Sequence, residues 1–207
     1  SLFLPPELLG THVAPAPNPI TGAAHAMDFR AKVALFGHMG VEADPARLSP
    51  GDADTLRQVI ALHKAHRDLI AGGLVEWPRH PDPCVLGQMA IAADGGSALA
   101  LVATAVAVAD SAPVRLPGLE PHALYHVTLP PPWPAAGRSF RDGLSEAGLR
   151  LTGRELAAGG LRLPLDRADT AWVVLCRRCE PGAIDELSNK VSAGMDGRDA
   201  GMIADQA

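Results

Sequence analysis

The hydrophobic period changes at Gly72-Gly73, and this switch constrains the fold more than any other feature of the chain. Upstream, Ser49-Pro50-Gly51-Asp52 offers a capping hydroxyl, a proline at the first helical position and an acid at the third. Leu56, Val59, Ile60, Leu62, Leu69 and Ile70 then recur at helical spacing, which predicts a helix that Gly72-Gly73 ends. Downstream the spacing is that of strands, over 74–77, 85–92, 98–108, 124–129, 149–151, 160–165 and 170–176. Turn residues such as Asp94-Gly95-Gly96 and Pro117-Gly118 separate them, and short strands so spaced predict an antiparallel sandwich. The chain is therefore of the α+β class, helical first and β afterwards.

The first part opens with apolar residues at 2–4 and a buried strand over 8–13. Pro15, Pro17 and Pro19 stiffen the next stretch, and Thr21 or Gly22 starts a helix reaching about Phe36, stopped by Gly37 and Gly40. These boundaries give three units: 1–72, 73–180, and a polar, Gly-rich tail over 181–207 for which little packing is expected.

The formal net charge of −5 and the lack of a basic stripe denser than Arg177-Arg178 argue against a nucleic-acid partner. The longest apolar run, 98–109, stops well short of the about 20 residues of a membrane span and suits a buried strand. Three cysteines without framework spacing suggest a reducing, cytoplasmic setting. The chain starts at Ser1, without an initiator Met and inside an apolar run, as expected of a cut through a larger protein.

Candidate chemistry is sparse. Cys176-Arg-Arg-Cys179 could be half a zinc site or a redox pair, but no second ligand pair accompanies it, and residues three apart on a strand face opposite sides. It reads as two ordinary cysteines at a strand end. His63 and His66 share a helix face with Lys64 and Arg67 and read as a solvated basic face. Asp52 and Asp54 complement a helix dipole, Asp166 and Asp169 flank a turn, and Glu76-Trp77 reads as an edge-strand pair. No glycine-rich phosphate loop opens a helix, and no carboxylate pair identifies a general acid and its partner.

Four segments taken together resemble the C-terminal end of bacterial α-galactosidases of glycoside hydrolase family 36. They are LPPELLGTHVAPAPNPITG (4–22), AHAMDFRAKVALFGHMGVEAD (24–44), IALHKAHRDLIAGGLV (60–75) and RLPGLEPHALYHV (115–127). The resemblance runs over about 2–176 and does not include the tail. It implies the terminal βα unit of a (β/α)8 barrel, a connecting helix and a C-terminal antiparallel β-sandwich. It also implies hydrolysis of terminal α-galactosyl groups from raffinose- or melibiose-type oligosaccharides with retention, by an enzyme that is a homo-oligomer and needs no cofactor or metal.

The family's two catalytic aspartates lie on earlier barrel strands, so the resemblance assigns no catalytic residue to this chain, and Asp28 and Asp44 do not replace them. What it leaves is one wall of the pocket, with His12, Asn18, Thr21 and Gly22 as substrate-binding residues. Pro19 and Ala23 depart from the His and Arg usual in the family at these places. The barrel strand is expected to lack both neighbours, leaving apolar surface near 8–13 exposed and the chain poorly soluble unless another chain covers it. The rival reading is a non-catalytic carbohydrate-binding or assembly module built on the sandwich. Only three Trp and one Tyr are available to stack on sugars, which weighs against it.

Overall fold

The computed structural model describes residues 8–109, 112–133 and 148–180, so the apolar residues at 2–4 and the tail over 181–207 lie outside the described residues. The first part is a βαβ unit. Strand β1 (Gly10–Val13) leads through the proline loop to helix α1 (Met27–Val33), which returns to strand β2 (His38–Val41). The two strands pair in parallel, with Gly10 opposite His38 and Val13 opposite Val41. Helix α2 (Pro50–Gly72) follows, capped as its sequence predicts: Ser49 Oγ accepts from the Asp52 amide at 3.1 Å.

Two expectations for this part are corrected. The first helix starts at Met27, later than Thr21 or Gly22, because the Asn18–Ala23 segment closes on itself as a turn. It also ends early enough for β2 to form, so β1 has a neighbour where none was expected. The glycines expected only to stop a helix make that pairing possible. Gly37 sits at φ +145, where a Cβ would stand 2.7 Å from the Leu9 carbonyl oxygen, and a Cβ on Gly40 would stand 2.9 Å from the His12 ring. The expected apolar exposure is confined to the start of the strand region, where Leu8 is exposed and Val13 is buried.

The second part is one six-stranded antiparallel sheet. Strands β3 (Leu74–Glu76), β4 (Leu86–Ile91), β5 (Ser97–Thr104), β6 (Leu124–Thr128), β7 (Leu149–Thr152) and β8 (Thr170–Arg178) lie in the order β3-β4-β5-β8-β6-β7. Glu76 thus ends an edge strand, as expected of the Glu76-Trp77 pair. A short helix, α3 (Gly153–Ala158), follows β7 behind a capping box formed by Thr152 and Glu155.

Both faces of the sheet are buried, which explains why β5 and β8 read as continuous apolar runs rather than alternating ones. On one face Ala98, Ala100, Val102, Tyr125, Trp172 and Val174 pack against α3 and the irregular segments around Val114–Leu119 and Leu161–Leu165. This second layer is made by bridges, Val114 with Leu161 and Arg79 with Arg115, rather than by a continuous strand over 160–165. Trp172 Nε1 donates to the Pro164 carbonyl at 2.8 Å and ties the layer down. On the opposite face Leu99, Leu101, Val173 and Leu175 pack against Phe29, Leu35, Phe36, Leu56 and Val59 from the helical part. Among the described residues no helix is long and apolar enough to cross a membrane.

Candidate functional site

The second half of β1, the proline loop and one face of α1 enclose an open cleft of about 330 Å³. It is lined by Thr11 and His12 of the strand, by Ala14, Pro15, Asn18, Thr21 and Ala23 of the loop, and by His25, Phe29, Arg30, Val33 and Ala34. None of these lining residues is a carboxylate. His12, Asn18 and Thr21 were expected at the site and are brought together there. Gly22 does not line the cleft; at φ +72 it serves the turn behind it.

The loop closes on itself for reasons local to its sequence. Asn18 Oδ1 accepts from the amides of Ile20 at 2.9 Å and Thr21 at 3.0 Å, an Asx turn of the kind this side chain favours. The Asn18 amide donates to the Ala23 carbonyl at 2.7 Å, and Gly22 N donates back to the Asn18 carbonyl at 2.8 Å. The Asn18 side-chain carbonyl is therefore spent on the loop, and its NH2 is the end left to meet a ligand. Arg30 holds both ends of the same loop, donating from Nε to the His25 carbonyl at 2.9 Å and from Nη1 to the Ala14 carbonyl.

Two histidines on the cleft are each oriented by a carboxylate. His12 Nδ1 lies 2.8 Å from Glu42 Oε1, just beyond β2. Its ring spans Gly40, its partner in register, and only a glycine leaves room for that. His25 Nδ1 lies 2.8 Å from Asp169 Oδ1, and its ring packs against Phe29 with centroids 5.3 Å apart. A carboxylate only accepts, so in the neutral ring each pair places the proton on Nδ1 and leaves Nε2 as an acceptor.

Sequence reasoning missed His25, Arg30 and Glu42. All three stand in the AHAMDFRAKVALFGHMGVEAD segment that carries the family likeness, and that was their only signal. Asp169, 144 positions from His25, carries no local mark of its role.

Elsewhere the candidate residues take structural parts. Asp28 stands 3.6 Å from the buried Lys32, and Asp44 caps the 3-10 turn Pro45–Arg47. Cys176 lies in the core, where burial pushes its thiol up to about 12, and Cys179 follows the end of β8. His63 and His66 are half-buried rather than solvated as expected. His63 Nδ1 sits 3.1 Å from the Leu35 carbonyl oxygen, and burial, with Arg177 nearby, holds His66 below its ordinary value. They turn inward because α2 packs against the segment after α1 and against the sheet.

Two family profiles match the chain: Melibiase over residues 1–73, and the glycosyl hydrolase family 36 C-terminal domain over residues 87–175. An alpha-galactosidase of Escherichia coli is 29% identical over 188 residues, which are 86% of this chain and 26% of that protein. The galactosidase domain of the alpha-galactosidase-sucrose kinase AgaSK superposes with a TM-score of 0.72 at 26% identity, covering 86% of this chain and 23% of that one. The fold is shared with a variant of the alpha-galactosidase AgaA of Geobacillus stearothermophilus solved with raffinose, at a TM-score of 0.69 and 24% identity, over 84% of this chain and 22% of that one. The chain thus spans about a quarter of the length of these relatives.

Proposed function

The chain is a partial region of glycoside hydrolase family 36, and from that premise we propose that it forms one wall of the galactoside pocket of a retaining α-galactosidase. The carrying observation is the cleft at the C-terminal end of β1, the end of a parallel barrel strand where such pockets form, with His12, Asn18 and Thr21 on its surface. These groups, with His25, offer acceptors and donors suited to sugar hydroxyls. A raffinose-type oligosaccharide is the ligand class that the relatives' names and the raffinose complex support.

Retaining hydrolysis needs two carboxyl groups roughly 5–5.5 Å apart. The cleft presents none, since the nearby Glu42 and Asp169 are engaged behind the two imidazoles. Binding and orientation are therefore this chain's part, and the carboxylates belong to the remainder of an enzyme of this family.

Two measurements on the chain test this. Titration with raffinose, followed by amide NMR, is expected to shift signals of residues 11–25 in a saturable way. Shifts confined to 73–180 would favour the carbohydrate-binding module instead, and none at all would refute the pocket reading. A chromogenic α-galactoside is expected to be untouched by the chain alone. Turnover above the uncatalysed rate would overturn the division of labour.

A further inference from the structure

The contact that fixes His25 does not come from the part of the chain that forms the cleft. Asp169 belongs to the turn before β8, within the sheet part, and its Oδ1 reaches His25 Nδ1 at 2.8 Å. Asp169 does so from φ 55, the one non-glycine at positive φ among the described residues. Asp is among the few side chains that adopt this left-handed region, and the conformation is kept where surrounding contacts impose it. The imposing contacts are present: Thr170 Oγ1 donates to the Arg167 carbonyl at 2.9 Å and closes the turn, and Thr170 itself starts the paired stretch of β8 opposite Thr104. A second tie lies one residue further on from Thr170, where Lys32 Nζ donates to the Ala171 carbonyl at 3.0 Å. The segment from His25 to Lys32 is thereby fastened to the start of β8 near both of its ends.

We propose that Asp169 is a positioning residue of the galactoside cleft: whenever the His25 ring is neutral, it holds that ring in the Nδ1–H tautomer and so presents Nε2 to the ligand as a hydrogen-bond acceptor. The sheet part then serves the sugar site as well as covering the helices. This rests on the pocket reading above for the identity of the ligand, though the tautomer itself does not depend on it. Without the carboxylate, an imidazole has no reason to keep its proton on Nδ1, and His25 would meet a sugar hydroxyl with a donor or from another rotamer.

The test compares Asp169→Gly with Asp169→Asn in the full chain. Glycine removes the carboxylate and also relieves the positive φ, so its melting temperature is expected within about 5 °C of the parent. Asparagine keeps an Oδ1 acceptor and tolerates the same φ. Imidazole 15N spectra are expected to show His25 protonated on Nδ1 in the parent and in Asp169→Asn, and shifted toward the Nε2–H form in Asp169→Gly. Raffinose binding is expected to weaken roughly fivefold to tenfold in Asp169→Gly, as for one hydrogen bond, and to recover in Asp169→Asn. A folded Asp169→Gly chain with an unchanged His25 tautomer would overturn the proposal. A tautomer that responds as stated in a chain that never binds raffinose would retain the positioning role and refute the pocket reading.

Discussion

The ammonium of Lys32 is 1% exposed, with the Ala171 carbonyl at 3.0 Å and the Asp28 carboxylate at 3.6 Å as its polar company. Burial outweighs that company and lowers its pKa from 10.5 to about 8. The unfolded chain therefore holds a proton that the folded chain gives up between these values, so folding stability rises with pH across that window. The gain is about 3 kcal/mol for the full interval, at about 1.4 kcal/mol per pH unit. Cys176 acts in the opposite sense: its folded value is raised from 9.0 to about 12, so it withdraws stability above about pH 9. Between pH 8 and 9 the Lys32 effect is thus least opposed. Urea unfolding there should show stability rising in the parent and flat in Lys32→Met. Parallel slopes in the two proteins would mean that the ammonium is not buried as described. At the cleft, Gly40→Ala would push a methyl group against the His12 ring, which must then leave Glu42. Raffinose binding should weaken several-fold while the melting temperature changes little.

Among the elements, α2 depends on a cap written into its sequence. Ser49 Oγ accepts from the Asp52 amide and donates to Asp52 Oδ2 at 2.9 Å, so Ser49→Ala should cost about 1 kcal/mol, read as a lower urea midpoint at an unchanged slope. Helix α3 tolerates its start less generously. A Cβ on Gly153 would lie 2.2 Å from the Glu120 carbonyl oxygen, backbone against backbone with nothing flexible to yield. Gly153→Ala should cost about 3 kcal/mol, whereas the exposed neighbour Arg154→Ala should be near neutral. These elements also mark where the sequence is legible. The α2 start, the β5 and β8 runs and the change of period were readable because caps, apolar runs and helical spacing are local signals. Strand β2 was not, since His38-Met39-Gly40-Val41 has no alternation, and Gly40, with Gly37 just before the strand, mimics a helix stop. What they supply is room for β1 and for the His12 ring, a requirement set by a partner strand. In the cleft, the family likeness pointed to His12, Asn18 and Thr21. The carboxylates that orient its histidines come from 30 and 144 positions further along, beyond the reach of any local pattern.

For the whole molecule, the question is whether the helical part and the sheet are separable. Their shared face says that they stand together. Leu99, Leu101, Val173 and Leu175 are each at most 8% exposed, and the helices cover that side of the sheet. Uncovering four such side chains costs roughly 6–12 kcal/mol, comparable with the whole net stability of an ordinary domain, about 5–15 kcal/mol. The other face, closed by Trp172, Tyr125 and the bridged segments, cannot offset a loss of that size. The full chain should accordingly melt in one transition followed identically by far-ultraviolet and tryptophan signals. A chain cut to residues 73–180 should bind 1-anilinonaphthalene-8-sulfonate strongly and sediment as aggregates. A monomeric, cooperatively melting 73–180 fragment without dye binding would show that the sheet is self-sufficient. The tie from Asp169 to His25 would then join two independent bodies at the cleft, rather than two parts of one core.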